Sequence, residues 1–302
     1  MKGEVRAYLE SIDCPSRDDY DLSTSESTFP DGSDYKIELL PTSLEQYDTL
    51  IDLGEEHDVP VNKFIDVTGT VFDSDEEIRE KCKRCREEGI QLLMEPEKGH
   101  DPSDVSQQMA LGAMPGGTVR GVDNLVNTLA EVKRAAELGV RGFNLQDEGV
   151  LRVCLKMRED GELPPDTLLK VSSAFNVANP SSLAFWADHL DATDSVNPAR
   201  DLTIPMLGAL REVTDQPIDV HAFWHEDVVR THDMPEIVRV AAPVSIKNYR
   251  VADPGHGTIT MAEQYAQSVR VVETIDDEHP EASQFENDRS NPGVPAEPGA
   301  DW

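Results

Sequence analysis

Residues 140–176 read VRGFNLQDEGVLRVCLKMREDGELPPDTLLKVSSAFN. A β-rich run (140–147) passes into a helix-like stretch (150–159), and a second β-rich run follows (168–176). The same alternation extends in both directions. Further strand-like runs fall at 35–41, 61–68, 90–95, 192–197, 217–223 and 243–248. Helix-like stretches fall after them, at 43–57, 74–88, 122–138, 181–190, 202–214, 233–241 and 260–274. Helix starts carry capping residues (Thr42/Ser43, Asp73/Ser74 before Glu76-Glu77, Asp201), and two helix ends carry Gly89 and Gly139. Serial β/α units predict parallel strands joined by crossover helices. A doubly wound sheet would place a Gly-rich loop after its first strand. Here that position reads Leu40-Pro41-Thr42-Ser43. Eight units therefore predict an α/β fold of the (β/α)8 TIM-barrel type.

The barrel occupies 35–275. Residues 1–34 are polar, carry a turn at Pro30-Asp31-Gly32, and read as an N-terminal extension that packs on or wraps the barrel. Residues 276–302 are rich in Asp, Glu, Pro, Gly, Ser and Asn and read as an acidic disordered tail. The opening residues have no signal-peptide pattern, and no apolar run approaches the roughly 20 residues of a membrane span. The expectation is a cytoplasmic protein without disulfides.

Charge is the most unusual feature of the composition. The chain has 59 Asp+Glu against 27 Lys+Arg, a formal net charge of −32, and only ten lysines. The acidity runs along the whole chain instead of forming one patch. Such self-repulsion is relieved when salt shortens the Debye length, to about 3 Å at 1 M. The spread of carboxylates thus reads as that of a halophile's protein, the alternative being an acidic mesophilic protein with a basic partner. It excludes nucleic acid and anionic membrane as partners, because phosphate binding needs clustered Lys and Arg. A small molecule or peptide remains as substrate, and a homo-oligomer remains open.

Alternate side chains of a strand share one face. One parity of most of these strands is polar towards the C-terminal end: Lys36 and Glu38, Asp66 and Thr68, Glu95, Asn144 and Gln146, Lys170, Ser172 and Asn176, Ser195 and Asn197, Asp219 and His221, Ser245 and Lys247. The other parity is mostly apolar, including Ile37, Ile65, Val67, Phe143, Val171 and Ile246, and suits the helix ring. Buried charges are costly unless paired or liganded. In this fold such residues at strand ends read as catalytic or binding groups. The catalytic candidates are Glu38, Asp66, Glu95, His221 and Lys247. Asn144, Gln146, Ser172, Asn176 and Asn197 are the substrate-binding candidates. Glu38, Glu95 and His221 suit a divalent metal such as Mg²⁺, Mn²⁺ or Zn²⁺. Without a metal, the carboxylates and His221 suit general acid–base work. Lys247 suits either a substrate carboxylate or a Schiff base.

Gly255, Gly257 and Thr258 lie in a glycine-bearing loop before the last helix, where backbone N–H groups suit a carboxylate or phosphate; a plain turn is an equal reading. Asp147 suits a helix cap and Glu148 a place facing the site. Cys82 and Cys85 form a lone CxxC inside a helix, which reads as core packing.

The stretches 139–153, 161–183, 194–223 and 236–249 resemble barrel proteins of the U32 peptidase family. The resemblance runs from about Tyr35 to Ile275 and touches Phe29-Pro30-Asp31-Gly32. It implies the (β/α)8 fold and a hydrolase. Hydroxylating relatives carry a clustered four-cysteine iron–sulfur set. Cys14, Cys82, Cys85 and Cys154 are not so arranged, so no iron–sulfur cluster is expected. Three functions remain open: a U32-like hydrolase with a carboxylate/His site, a metal-dependent lyase or aldolase acting on a small carboxylated metabolite, and a non-catalytic binding protein.

Overall fold

The computed structural model describes residues 1–11, 21–96, 118–224, 228–249, 260–300 and 302. The eight expected strands form one closed sheet: β1 (Tyr35–Leu39), β2 (Lys63–Asp66), β3 (Gln91–Met94), β4 (Gly142–Leu145), β5 (Leu168–Val171), β6 (Ser195–Val196), β7 (Ile218–Trp224) and β9 (Val244–Tyr249). A two-residue strand, β8 (Val228–Val229), pairs antiparallel with the end of β7. Each barrel strand is parallel to its neighbours. β9 pairs with β7 and β1, and β6 pairs with β7, so the ring has no edge.

The described helices are α1 (Lys2–Ser11), α2 (Leu44–His57), α3 (Asp75–Glu87), α4 (Val122–Glu137), α5 (Glu148–Glu159), α6 (Pro180–Ala187), α7 (Ile204–Arg211), α8 (Met234–Ala241) and α9 (Met261–Glu278). Ser74 and Glu77 form a capping box on α3, and Thr260 and Glu263 form another on α9. Asp147 caps α5 by accepting from the Val150 N–H. Outward strand residues such as Phe64, Leu92, Phe143 and Val171 are fully buried under these helices. Tyr47 of α2 packs edge-on against Phe64, with ring centroids 4.9 Å apart. Cys82, Cys85 and Cys154 are buried in the same layer. Burial pushes the Cys82 thiol up to about 12, which suits packing and not thiolate chemistry.

Two terminal segments close the N-terminal end of the barrel. Residues 21–34 run along its lower side, where Arg239 donates to the Leu22 carbonyl and Ser25 N–H donates to the Arg239 carbonyl. The C-terminal segment differs from the expected disordered tail. Leu92 N–H donates to the Gly293 carbonyl, Ala296 N–H to the Gly139 carbonyl, and Asn62 Nδ2 to the Phe285 carbonyl. Phe285 and Val294 are buried. The helix-ending glycines expected at 89 and 139 serve this contact. Both have positive φ, and a Cβ there would meet the backbone of Asp288 or Ala296 at 2.7 or 2.5 Å. The few apolar residues of an otherwise polar segment are thus spent on the barrel floor. Phe285→Ala is expected to lower stability by about 3–5 kcal/mol in denaturant unfolding; a loss below about 1 kcal/mol would mean that the segment is not part of the cooperative fold.

Candidate active site

The barrel interior is ionic at its centre. Glu38 of β1 and Asp219 of β7 are fully buried, as is Lys170 of β5, which reaches across to both. Lys170 Nζ lies 2.8 Å from each Glu38 carboxylate oxygen and 3.1 Å from Asp219 Oδ2. Lys63 of β2 enters from the other side, 2.8 Å from Glu38 Oε2 and 2.8 Å from Asp219 Oδ1. Ser195 Oγ donates to Asp219 Oδ2, and Lys63 also donates to Ser245 Oγ. Lys247 of β9 stands farther off, with Nζ 3.5 Å from Glu38 Oε1. Three ammonium groups therefore surround two carboxylates.

That imbalance sets the protonation states. Burial alone would raise the Glu38 carboxyl, but Lys170, Lys63 and Lys247 outweigh it and hold the group below the usual carboxylate range. Asp219 is lowered against its burial by Lys170 and Lys63. Burial also works against both lysines. At Lys63, Asp219 and Glu38 more than compensate and raise the pKa. At Lys170 burial prevails, and with Lys63 and Lys247 pushing the same way the amine falls to about 8. With one cation in excess in the cluster, Lys170 gives up its proton before Lys63. It remains wholly internal, so a substrate would have to displace Glu38 to reach it.

His221 follows Asp219 by two residues on β7 and pairs in register with Lys247. It is buried. Burial, then Lys247, Lys170 and Arg200, hold its pKa well below the ordinary histidine value, so the imidazole is neutral. Glu95, just past β3, accepts a 2.7 Å hydrogen bond from Asn144 Nδ2 of β4. In the strand ring β3 and β4 stand opposite β7 and β9. The upper barrel thus has a Lys247/His221 wall and a Glu95/Asn144 wall.

Several expected site residues fall elsewhere. Asp66 points out of the barrel: it accepts from Tyr47 Oη at 3.0 Å and pairs with Lys81 of α3 at 2.6 Å. The inward face of β2 carries Lys63 and Ile65 instead, and Ile65 packs with Leu40, Leu93 and Leu168. Strand two inverts the expected parity because its upper interior is apolar. Asn197 donates to the Asp219 carbonyl and ties β6 to β7. Ser172 caps a single 3-10 turn (Ser173–Phe175) that ends on Asn176 in left-handed conformation, so the strand expected to run to 176 stops at Val171. Asn176 is exposed, Gln146 is half-buried and Glu148 is exposed. Gly255, Gly257 and Thr258 lie outside the described residues.

The metal set Glu38, Glu95 and His221 does not gather. Glu38 is occupied by ammonium groups that would repel a cation. Among the described residues no group of three or more His, Cys, Asp or Glu is placed to hold a metal. Sequence reading missed Lys63, because it placed Ile65, two residues on and of the same parity, among the helix-facing residues.

No family model matches the sequence, and no curated protein matches it. Solved structures do. The YdjI aldolase from Escherichia coli K12 is 11% identical over 80% of this chain and 89% of its own, with a TM-score of 0.45. A DAHP synthase from Thermotoga maritima is 13% identical over 93% and 85%, with a TM-score of 0.47. The U32 peptidase Mk0906 is 16% identical over 68% and 72%, with a TM-score of 0.41. The barrel itself rests on the strand pairing. Among the described residues no helix is long and apolar enough to cross a membrane.

Removing one partner of a buried ion cluster leaves an uncompensated charge. Lys170→Met is expected to cost about 3–5 kcal/mol in denaturant unfolding at neutral pH. Glu38 and Asp219 have depressed pKa values in the fold. Their contribution is present above the unfolded carboxylate values and is lost as pH falls through the folded ones. Glu38→Gln should therefore flatten the acid limb of a stability–pH curve; an unchanged limb would contradict the ionised cluster.

Proposed function

We propose that this chain is a lyase or aldolase acting on a small carboxylated carbonyl compound bound in the upper barrel. The observation that carries this reading is Lys247. In a chain of net charge −32, it is the cation left over once Glu38 and Asp219 are saturated at 2.8–3.1 Å by Lys63 and Lys170. A surplus ammonium group beside a neutral imidazole suits a substrate that develops negative charge on oxygen.

In such a reaction the Lys247 ammonium lies against the carbonyl oxygen. The neutral His221 takes the proton of a β-hydroxyl group as the adjacent carbon–carbon bond breaks. The bond's electron pair passes into the carbonyl, and the resulting enolate oxygen is held by Lys247. The imidazolium then returns its proton to the enolate carbon, which balances the step. The cations that make protonated His221 unfavourable also make it a strong acid for that return. Glu95, fixed by Asn144, bounds the opposite side of the substrate. The U32 hydrolase reading needs a carboxylate–His pair or a metal on water; among the described residues no group of three or more His, Cys, Asp or Glu is placed to hold a metal.

Turnover of a panel of 2-oxo and 3-hydroxy acids tests the proposal. His221→Asn and Lys247→Met should each lower kcat at least about 100-fold, in the range of a positioned acid–base or oxyanion group, with an unchanged unfolding midpoint. The kcat–pH profile should stay flat below about 6.5, the ordinary histidine value, because the His221 pKa is depressed. A profile falling at 6.5, or full activity in both variants, would contradict the assignment.

A further inference from the structure

Two arginines stand at the C-terminal rim on the His221 side. Arg200 lies in the turn after β6, four residues past Val196. That turn is held upright by Asn197 N–H donating to the Val171 carbonyl and Ala199 N–H to the Val177 carbonyl. Arg230 follows β8 directly, and its N–H donates to the Ala222 carbonyl, one residue past His221. Its guanidinium bridges to the other turn, with Nη2 2.5 Å from the Arg200 carbonyl. Both side chains are half-buried.

Arg230 differs from the arginines that are held in ion pairs. Arg84, Arg134, Arg158 and Arg239 all sit within 3 Å of a carboxylate oxygen. Among the described residues, no carboxylate lies within 4 Å of Arg230, although the chain carries 59 of them. Burial lowers the pKa of both rim arginines, Asp201 counters it at Arg200, and Asp233 then Asp201 counter it at Arg230. Arg200 is also close enough to act on His221. A half-sunken guanidinium whose planar fork is left without a carboxylate suits a planar or tetrahedral oxyanion.

We propose that Arg230, with Arg200 beside it, binds the anionic end of the substrate, a carboxylate or phosphate, and so sets which carbonyl compounds the barrel accepts. This deepens the reading given above and rests on Lys247 and His221 as the reacting centre. Lys247 meets the carbonyl, while the rim arginines meet an oxyanion on the same small molecule. Neutral carbonyl compounds are then poor ligands, because nothing replaces the missing counter-ion of Arg230.

Calorimetric titration of the full chain with pyruvate, oxaloacetate, inorganic phosphate and acetone tests this. The wild type should bind the anions and not acetone, and the ranking of carboxylates against phosphate identifies the anion preferred. Arg230→Gln should weaken anion binding at least tenfold, Arg230→Lys less, and Arg200→Gln should weaken it too, all at unchanged unfolding midpoints. Lys247→Met should keep phosphate binding within about threefold while turnover is lost. Anion binding that is absent in the wild type, or unchanged in both glutamine variants, overturns the rim assignment. Arginine-dependent anion binding without turnover of any oxo acid keeps the rim site and overturns the lyase reading.

Discussion

The contact between Lys170 and the paired carboxylates of Glu38 and Asp219 governs the interior of this barrel. It joins β5 to β1 and β7 across the axis, and Lys63 joins β2 to the same two groups. Taking such charges out of water costs several kcal/mol per ion, and close pairing offsets that cost only when the geometry is complete. Here Glu38 meets three ammonium groups, Asp219 meets two, and Asp219 also accepts from Ser195. The cluster therefore fixes the relative positions of four strands more tightly than apolar packing, which tolerates small shifts. The residues above it inherit that precision. Lys247 and His221 are placed by their register with Glu38 and Asp219, not by loops.

The charge distribution separates surface from interior. Among the described residues, Lys36, Lys63, Lys81, Lys170 and Lys247 are buried, in a chain with only ten lysines. Lysine is thus spent where a buried ammonium has partners. Lys36 lies at the floor, where it donates to Gln91 Oε1 and sits over the rings of Phe285 and Phe29 at 3.5 and 4.1 Å, while burial pushes its pKa well down. Those two rings come from the C-terminal and N-terminal segments. The floor therefore depends on both ends of the chain, and the interior cations sit beneath a strongly acidic exterior. Buried pairs are screened by salt much less than surface charges, so the interior cluster keeps its strength at high ionic strength.

Much of the barrel was legible in the sequence because period-two strands and capped helices are local patterns. The readings of β1, β5, β7 and β9 also placed Glu38, Lys170, Asp219 and Lys247 on the inward face. Asp66 shows where local reading fails. Its neighbours Ile65 and Val67 look like helix-facing residues, yet they fill an apolar part of the interior with Leu40, Leu93 and Leu168. Asp66 turns outward because Tyr47 and Lys81, distant in sequence, satisfy it there. Lys63 was missed for the same reason: its partners lie on β1 and β7. The tail was misjudged because composition counts polar residues, whereas its docking depends on a few apolar contacts and on backbone bonds to strands and helix ends.

The cluster at the barrel centre holds three ammonium groups against the two carboxylates of Glu38 and Asp219. Nζ titration of selectively labelled lysines by nuclear magnetic resonance tests it most directly. One buried lysine, assigned as Lys170 by loss of its signal in Lys170→Met, should release its proton near 8, while Lys63 stays protonated well beyond that. Both lysines titrating together near the ordinary value of about 10.4 would contradict the account.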